Sequence, residues 1–145
     1  MFICAGNTCR SAMAHAILEK KIKDNNLDVQ VYSSGIYAEN GDTATYNAIQ
    51  AMNKYGIDLK AHRAINISDS NIEEMDLILC MTTSHKTNII KIYPKLKDRI
   101  YTLKEYIKCK DIDINDPWGY SSATYEKVAQ ELEEYINKLI DIIMK

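Results

Sequence analysis

The sequence has few residues that interrupt regular structure. Its 145 residues include only two prolines and five glycines. We find no internal repeat, linker or low-complexity tract, so the connections between secondary-structure elements are predicted to be short. A chain of this length buries a sizeable core as one domain. We therefore expect residues 1–145 to form a single domain.

An excess of one charge is also missing, as are long apolar runs. Eighteen basic residues stand against 20 acidic ones, for a net charge of -2, which argues against a nucleic-acid or membrane-surface partner. No apolar run approaches the roughly 18 residues that cross a bilayer. The first residues lack the basic region and apolar core of a signal peptide. These features favour a cytoplasmic protein.

The four cysteines do not have the spacing of a metal site. No C-x2-C pair occurs among Cys4, Cys9, Cys80 and Cys109. A ferredoxin-type spacing from Cys4 would need a cysteine where Ala12 stands. The three histidines are scattered along the chain. We therefore expect no metal and no cofactor, and cysteines that serve packing or reactivity as reduced thiols.

Strand and helix patterns alternate along the chain. Gly35 is predicted to stop the second strand, and Gly56 to close the second helix. The predicted strands cover residues 2–4, 29–34, 76–81 and 99–103, and the predicted helices cover 11–23, 43–55, 84–92 and 122 to the chain end. This alternation favours an α/β fold with a parallel sheet between helices on both faces. In such a fold the ligand site lies at the carboxyl ends of the strands.

The stretch CAGNTCRS, residues 4–11, joins the first predicted strand to the first predicted helix. A helix N-terminus offers unpaired amides to an anion. Gly6 lets the backbone curl, and Asn7 tolerates a left-handed conformation. The amides from Ala5 to Arg10 can thus form a cradle for a phosphate-sized oxyanion. The Arg10 guanidinium would grip two of its oxygens.

Cys4 lies at the base of this cradle. The positive potential that binds an oxyanion also favours the thiolate form of a cysteine. Ser11 can donate a further hydrogen bond to the sulfur. The loop therefore combines a nucleophile with the binding site of its electrophile.

The pattern C-x-G-N-x-C-R-S after an N-terminal strand resembles the signature of the low molecular weight protein phosphatase family. The stretches YSSG at 32–35, AIQAMNKYGIDLKAHRA at 48–64 and DLILCMTTSHK at 76–86 also resemble this family, so the similarity covers essentially the whole chain. The resemblance implies a three-layer α/β domain. Its sheet would be four-stranded and parallel, in the order 2-1-3-4, with helices on both faces.

The resemblance also implies the roles of the site residues. Cys4 would be the nucleophile and would form a cysteinyl-phosphate. The phosphate-binding loop would comprise Ala5, Gly6, Asn7, Thr8, Cys9, Arg10 and Ser11. Ala12 and His15 stand where the family commonly has proline and glutamate, next to the loop but outside its reacting groups.

The general acid of the family is an aspartate followed by proline, and NDPWGY at 115–120 supplies Asp116. An acid is needed because the leaving group departs poorly unless it is protonated. Pro117 would fix the loop so that Asp116 faces the cradle. Asp111 and Asp113 lack a following proline and are expected to be solvated loop residues.

Several positions point to one branch of the family. Thr8, and Trp118 with Gly119 after the D-P pair, resemble the bacterial protein-arginine phosphatases, as does IYTLKEYI at 100–107. A small hydroxyl side chain at Thr8 would accommodate a planar cation, and Trp118 could stack on it. Trp118 would serve a phosphotyrosine ring nearly as well. The expected substrates are phosphoarginine proteins supplied by a protein-arginine kinase, with a protein-tyrosine phosphatase and a tyrosine kinase as the alternative.

Two other functions are disfavoured. An arsenate reductase needs two further cysteines about seven residues apart, but Thr87 lies seven residues after Cys80. A non-catalytic phosphoprotein-binding module would have lost Cys4, Arg10 or Asp116, and all three are present.

Some polar residues near the motif admit more than one interpretation. Cys9 either packs or forms a reversible protective disulfide with Cys4. His62 and His85 are expected to make structural hydrogen bonds. Ser33 and Ser34, at the end of the second predicted strand, are expected to buttress the loop.

Overall fold

The computed structural model describes residues 1–110 and 113–145; Asp111 lies outside the described residues. Within them a central sheet has four strands, β1 (Phe2–Cys4), β2 (Ser33–Gly35), β3 (Ile78–Cys80) and β4 (Ile100–Thr102). All neighbours pair in parallel, in the order β2-β1-β3-β4. This confirms the predicted sheet and its strand order.

The helices of the described residues are α1 (Arg10–Asp24), α2 (Tyr46–Asn53), α3 (Thr83–Ile92), α4 (Leu103–Tyr106) and α5 (Ser122–Ile143). Short 3-10 turns cover Ile67–Asp69, Ile72–Glu74 and Pro94–Arg99. None of these described helices has both the length and the apolar character that a membrane span requires.

The side chains of β1 alternate between the two faces of the sheet, as the period of a strand requires. Phe2 and Cys4 pack with the apolar residues of α1, α2 and α5. Ile3 belongs to a second buried cluster, which includes Ile78 of β3 and Ile89 of α3. The molecule therefore has three layers, with helices on both faces of the sheet, as predicted.

Two elements differ most from the sequence prediction. The strand predicted over 29–34 is shorter and lies later, at Ser33–Gly35. The helix predicted over 43–55 covers only Tyr46–Asn53, because the Thr45 side chain accepts the Ala48 amide at 3.3 Å and starts the helix there. Gly56 follows this helix with a φ of 70°, as expected of a residue that closes it.

Gly35 does not stop β2 but is its last paired residue, opposite Cys4. A Cβ atom at this position would lie 2.5 Å from the Ala5 carbonyl oxygen and 2.9 Å from the Asn7 nitrogen. Glycine is required here because the end of β2 packs directly against the backbone of the loop after β1.

The substitution Gly35→Ala should therefore distort that loop. We expect it to cost about 3 kcal/mol of stability in urea unfolding and to weaken the binding of inorganic phosphate. Gly56→Ala is the control: it has open space but a positive φ, and should cost only about 1 kcal/mol. Equal losses of stability with unchanged phosphate binding in both variants would contradict this interpretation.

Candidate active site

The loop of residues 5–9 leaves the carboxyl end of β1, a central strand, and enters α1 at Arg10. No side chain caps the start of α1, since Cys9 precedes the helix and makes no capping hydrogen bond. The first amides of α1 are therefore free of a capping oxygen and can bind an anion.

The Cys4 side chain is buried at the base of this loop, with 1% of the residue exposed. The Asn7 amide donates to its sulfur at 3.3 Å, and the Ser11 hydroxyl lies 2.9 Å from it. Donors directed at a sulfur atom stabilise its negatively charged form.

Asn7 also contacts the Ser11 hydroxyl. Asn7 is completely buried and has a φ of 57°. Its Nδ2 donates to Ser11 Oγ at 2.8 Å, which leaves the Ser11 proton free for donation to a Cys4 thiolate. Asn7, Ser11 and Cys4 thus form one chain of hydrogen bonds that ends at the sulfur.

The segment 62–65 holds Asn7 in place. The Ile65 amide donates to Asn7 Oδ1 at 3.0 Å, and His62 Nε2 donates to the Asn7 carbonyl oxygen at 2.6 Å. Burial has the largest effect on the pKa of His62 and lowers it, so the ring is neutral at pH 7. The expected structural role of His62 is confirmed, but its contact with the loop was not predicted.

The expected support of the loop by Ser33 and Ser34 is wrong. Ser33 Oγ is hydrogen-bonded to His15 Nδ1 at 2.9 Å, and Ser34 Oγ donates to the Met1 sulfur at 3.2 Å. The two hydroxyls are directed away from the loop because β2 pairs with β1 along its backbone and approaches the loop only at Gly35.

Arg10 is 4% exposed and forms an ion pair with Asp116. One terminal nitrogen donates to the Ile114 carbonyl oxygen at 3.0 Å, and the other lies 3.4 Å from Asp116 Oδ2. Its buried Nε has no hydrogen-bond partner among the described residues. Arg10 is thus fixed in orientation while a donor remains available for an oxyanion.

Asp116 lies in the same cleft as Cys4 and Arg10, as the sequence predicts. The Trp118 amide donates to Asp116 Oδ1 at 3.1 Å, and the Asp116 side chain is half-exposed. Pro117 is buried beside it. Asp113 is exposed, as expected, and also accepts from the Thr83 amide at 2.6 Å.

Cys9 is buried, and its thiol points at Asp116 Oδ1 at 3.8 Å. Burial, followed by the nearby Cys4 and Asp116, raises the pKa of Cys9 to about 12. Cys9 is therefore a neutral thiol, and Cys4 and Cys9 are both free. A reversible disulfide between them stays a prediction. Burial likewise raises the pKa of Cys80 to about 12, in keeping with an inert core thiol.

The loop forms the floor of an open cleft of about 320 Å³. Residues 4–6 and 8–10 line it together with Tyr37, Glu39, Asp42, Asp116 and Trp118. Asn7 and Ser11 lie beneath the loop, completely buried. Glu39 and Asp42 were not predicted, because no local pattern distinguishes them from other surface carboxylates.

A larger cavity of about 500 Å³ lies at the other end of the sheet, near Phe2, Tyr32 and Leu77. It contains none of the predicted site residues. In residues 1–110 and 113–145 no group of three or more metal-binding side chains lies together.

The fold is a parallel sheet between two layers of helices, and its site combines a buried cysteine under a loop of backbone amides with an arginine and a nearby aspartate. This combination defines a cysteine-dependent phosphatase. Residues 1–145 match the family model described as low molecular weight phosphotyrosine protein phosphatase. The chain belongs to this family.

Several relatives within the family are similar over nearly their whole length. The protein-arginine-phosphatase of Geobacillus stearothermophilus is 37% identical over 97% of this chain and 93% of its own. The low molecular weight protein-tyrosine-phosphatase PtpA of Staphylococcus aureus is 32% identical over 99% of this chain and 92% of its own. A solved structure of the YwlE arginine phosphatase, a cysteine-to-serine mutant with a phosphorylated active-site serine, superposes with a TM-score of 0.95, with 35% identity over 99% and 94% of the two chains.

His85 lies in the first turn of α3, and the charges of Arg10 and Asp116 in the site affect its pKa. Burial, with the positive charge of Arg10 as the next contribution, lowers its pKa from 6.5 to about 4. The expected structural hydrogen bond is not seen at its Nδ1, which has no partner in the described part of the chain.

The buried His85 should make stability fall in acid. Since its pKa is lower in the folded state, the unfolded chain takes up the proton first, and stability is lost from about pH 6.5 down to about pH 4. The loss attributable to His85 is about 3 kcal/mol. Urea unfolding across this pH range should show a flatter profile for His85→Gln than for the wild-type protein. Identical profiles would show that His85 does not cause the loss.

Proposed function

We propose that the protein hydrolyses phosphorylated side chains of proteins through a cysteinyl-phosphate, with Cys4, Arg10 and Asp116 as the catalytic residues. The observation that supports this most directly is their convergence. The buried Cys4 thiol, the Arg10 guanidinium and the Asp116 carboxylate line one cleft, and the loop amides surround its floor.

In the first step the Cys4 thiolate attacks phosphorus, and the bond from phosphorus to the leaving group breaks. Arg10 and the loop amides hold the three other phosphoryl oxygens and stabilise the charge on them. Asp116 donates a proton to the leaving nitrogen or oxygen. The products are the dephosphorylated protein and an enzyme phosphorylated on sulfur.

In the second step water attacks the phosphorus of the cysteinyl-phosphate. Asp116, now a carboxylate, takes a proton from this water, and inorganic phosphate leaves as the thiolate of Cys4 is restored. The Ser11 hydroxyl, 2.9 Å from the sulfur, stabilises that thiolate as it forms. The YwlE mutant with a phosphorylated active-site serine supports a covalent phosphoenzyme.

Phosphoarginine is the substrate that the site supports best. Two relatives, from Geobacillus stearothermophilus and Bacillus subtilis, are named protein-arginine-phosphatases. Thr8 lines the cleft. Its hydroxyl would lie 3.6 Å from the Cβ atom of a side chain introduced at Gly6. This small polar side chain leaves room for a planar guanidinium, and the protonated Asp116 carboxyl group can hydrogen-bond to it and donate its proton to the leaving nitrogen. Phosphotyrosine is the alternative, as in the name of PtpA.

The proposed setting follows from this substrate. A protein-arginine kinase would supply the phosphorylated proteins, and the work would be done in the cytoplasm. The named relatives are bacterial proteins, which agrees with this assignment.

Replacing Asp116 by asparagine should slow turnover by roughly 10²–10⁴-fold, because the amide cannot donate or accept the catalytic proton. Stopped-flow and steady-state assays on a phosphopeptide measure this, with Cys4→Ser as the inactive reference. Asp113→Asn is the matched control: Asp113 binds the start of α3, so its loss should cost stability but leave kcat near the wild-type value. Wild-type kcat in Asp116→Asn would refute the role of Asp116.

The substitution Thr8→Ile should shift the preference from phosphoarginine towards phosphotyrosine, because a bulky aliphatic side chain fills the space for the guanidinium and desolvates it. The measurement is kcat/KM on two peptides of the same sequence, one with each phosphorylated residue. Thr8→Ser keeps the hydroxyl and should keep the preference. If Thr8→Ile leaves the ratio unchanged, Thr8 does not determine specificity.

A further inference from the structure

The mouth of the cleft carries more negative charge than a phosphate-binding site needs. Glu39 and Asp42 line it in addition to Asp116, and both are exposed. Among the described residues that line the cleft, Arg10 is the one with a cationic side chain. Carboxylates at the entrance repel a phosphoryl dianion, so they favour binding only when the substrate itself brings positive charge.

These two carboxylates belong to a segment that is fixed to the phosphate-binding loop. We call residues 36–45 the rim loop. At its start the Tyr37 amide donates to the Ala5 carbonyl oxygen at 2.9 Å, and at its end the Thr45 amide donates to the Thr8 carbonyl oxygen at 3.0 Å. The backbone between these anchors is held against the cleft, which keeps Glu39 and Asp42 beside its entrance.

Neither carboxylate has a structural partner. In residues 1–110 and 113–145 no hydrogen bond or ion pair involves the side chain of Glu39 or of Asp42. Their neighbour Asn40, in contrast, hydrogen-bonds to Asp69 and to the Asn66 amide. The two carboxylates are therefore available to a ligand, and their removal should not unfold the rim loop.

The floor of the cleft has the opposite character. The Arg10 side chain is buried and its Nε has no partner among the described residues, so the floor offers an unused donor to an anion. A ligand that satisfies both ends of the cleft has an anion at one end and a cation nearby.

We propose that Glu39 and Asp42 are specificity-determining residues that select phosphorylation sites with a lysine or arginine next to the phosphorylated residue and reject sites flanked by acidic residues. This inference rests on the proposed phosphatase function and adds a substrate class to it. The value of kcat/KM then depends on the charge of the flanking side chain as well as on the identity of the phosphorylated residue. Each exposed charge pair should change kcat/KM about 1.4- to 5-fold.

The experiment uses peptides that differ only in the residues on both sides of the phosphorylated one, either lysine or glutamate. Both peptides are made with phosphoarginine and again with phosphotyrosine. For the wild-type enzyme at low salt we expect kcat/KM to favour the lysine peptide by roughly 10-fold, mainly through KM. The preference should shrink at high salt, since the screening length falls from about 10 Å at 0.1 M to about 3 Å at 1 M.

The double variant Glu39→Gln, Asp42→Asn should reduce this preference to about twofold or less and leave kcat unchanged. The matched control is Glu134→Gln, Asp141→Asn, which removes the same two charges from the exposed side of α5 and should keep the full preference. An unchanged preference in the rim variant, or an equal loss in both double variants, would overturn the proposal.

The same assay separates this inference from the proposed function. If phosphoarginine is a poor substrate, the substrate assignment fails, and the lysine-to-glutamate ratio is read from the phosphotyrosine pair. If no peptide is turned over, the proposed function fails. The ratio is then measured as the Kd of the peptides for Cys4→Ser, and its insensitivity to the rim substitutions would refute the role of Glu39 and Asp42.

Discussion

The left-handed backbone of Asn7 is the constraint on which the rest of the site depends. Its φ of 57° turns the loop so that the Asn7 amide faces the Cys4 sulfur and its side chain reaches Ser11. A residue with a Cβ pays about 1–2 kcal/mol for this conformation. Partly buried hydrogen bonds from Ile65 and His62 offset that cost, so the cradle is formed in advance and need not be ordered by the substrate.

The two cysteines of the loop show how position alone gives one residue type two roles. Cys4 has donors on its sulfur and lies at the floor of the cleft. Cys9 has a carboxylate near its sulfur, and burial raises its pKa to about 12. The neutral state of Cys9 matters for function, since a second thiolate next to Cys4 and Asp116 would repel the phosphoryl group. The weak Cys9 donor instead helps to orient Asp116.

The fold and the central loop could be predicted because their signals are local. A strand, the five loop residues 5–9 and a helix start are contiguous in sequence. The alternation of strands and helices favours a parallel sheet, and the family resemblance supplies its strand order. The support of the loop could not be predicted in the same way: His62 and Ile65 lie more than 50 positions from Asn7, and only the folded chain brings them together. Ser33 and Ser34 lie nearer to Asn7 in the sequence, but their hydroxyls bond to His15 and Met1 and do not support the loop. Glu39 and Asp42 gave no signal at all, because an exposed carboxylate becomes informative only through what lies beside it.

The charge at the mouth of the cleft offers a kind of selectivity that its aromatic residues cannot. Tyr37 and Trp118 are largely exposed and present flat faces, on which either a tyrosine ring or a guanidinium can stack. The carboxylates of Glu39 and Asp42 discriminate between substrates by charge. They weaken the binding of every phosphoryl anion, and a cation near the phosphoryl group of the substrate compensates for this loss. Specificity in this cleft thus arises from two opposing contributions to the free energy of substrate binding. The floor supplies affinity for phosphate, and the rim removes that affinity from substrates that carry no positive charge.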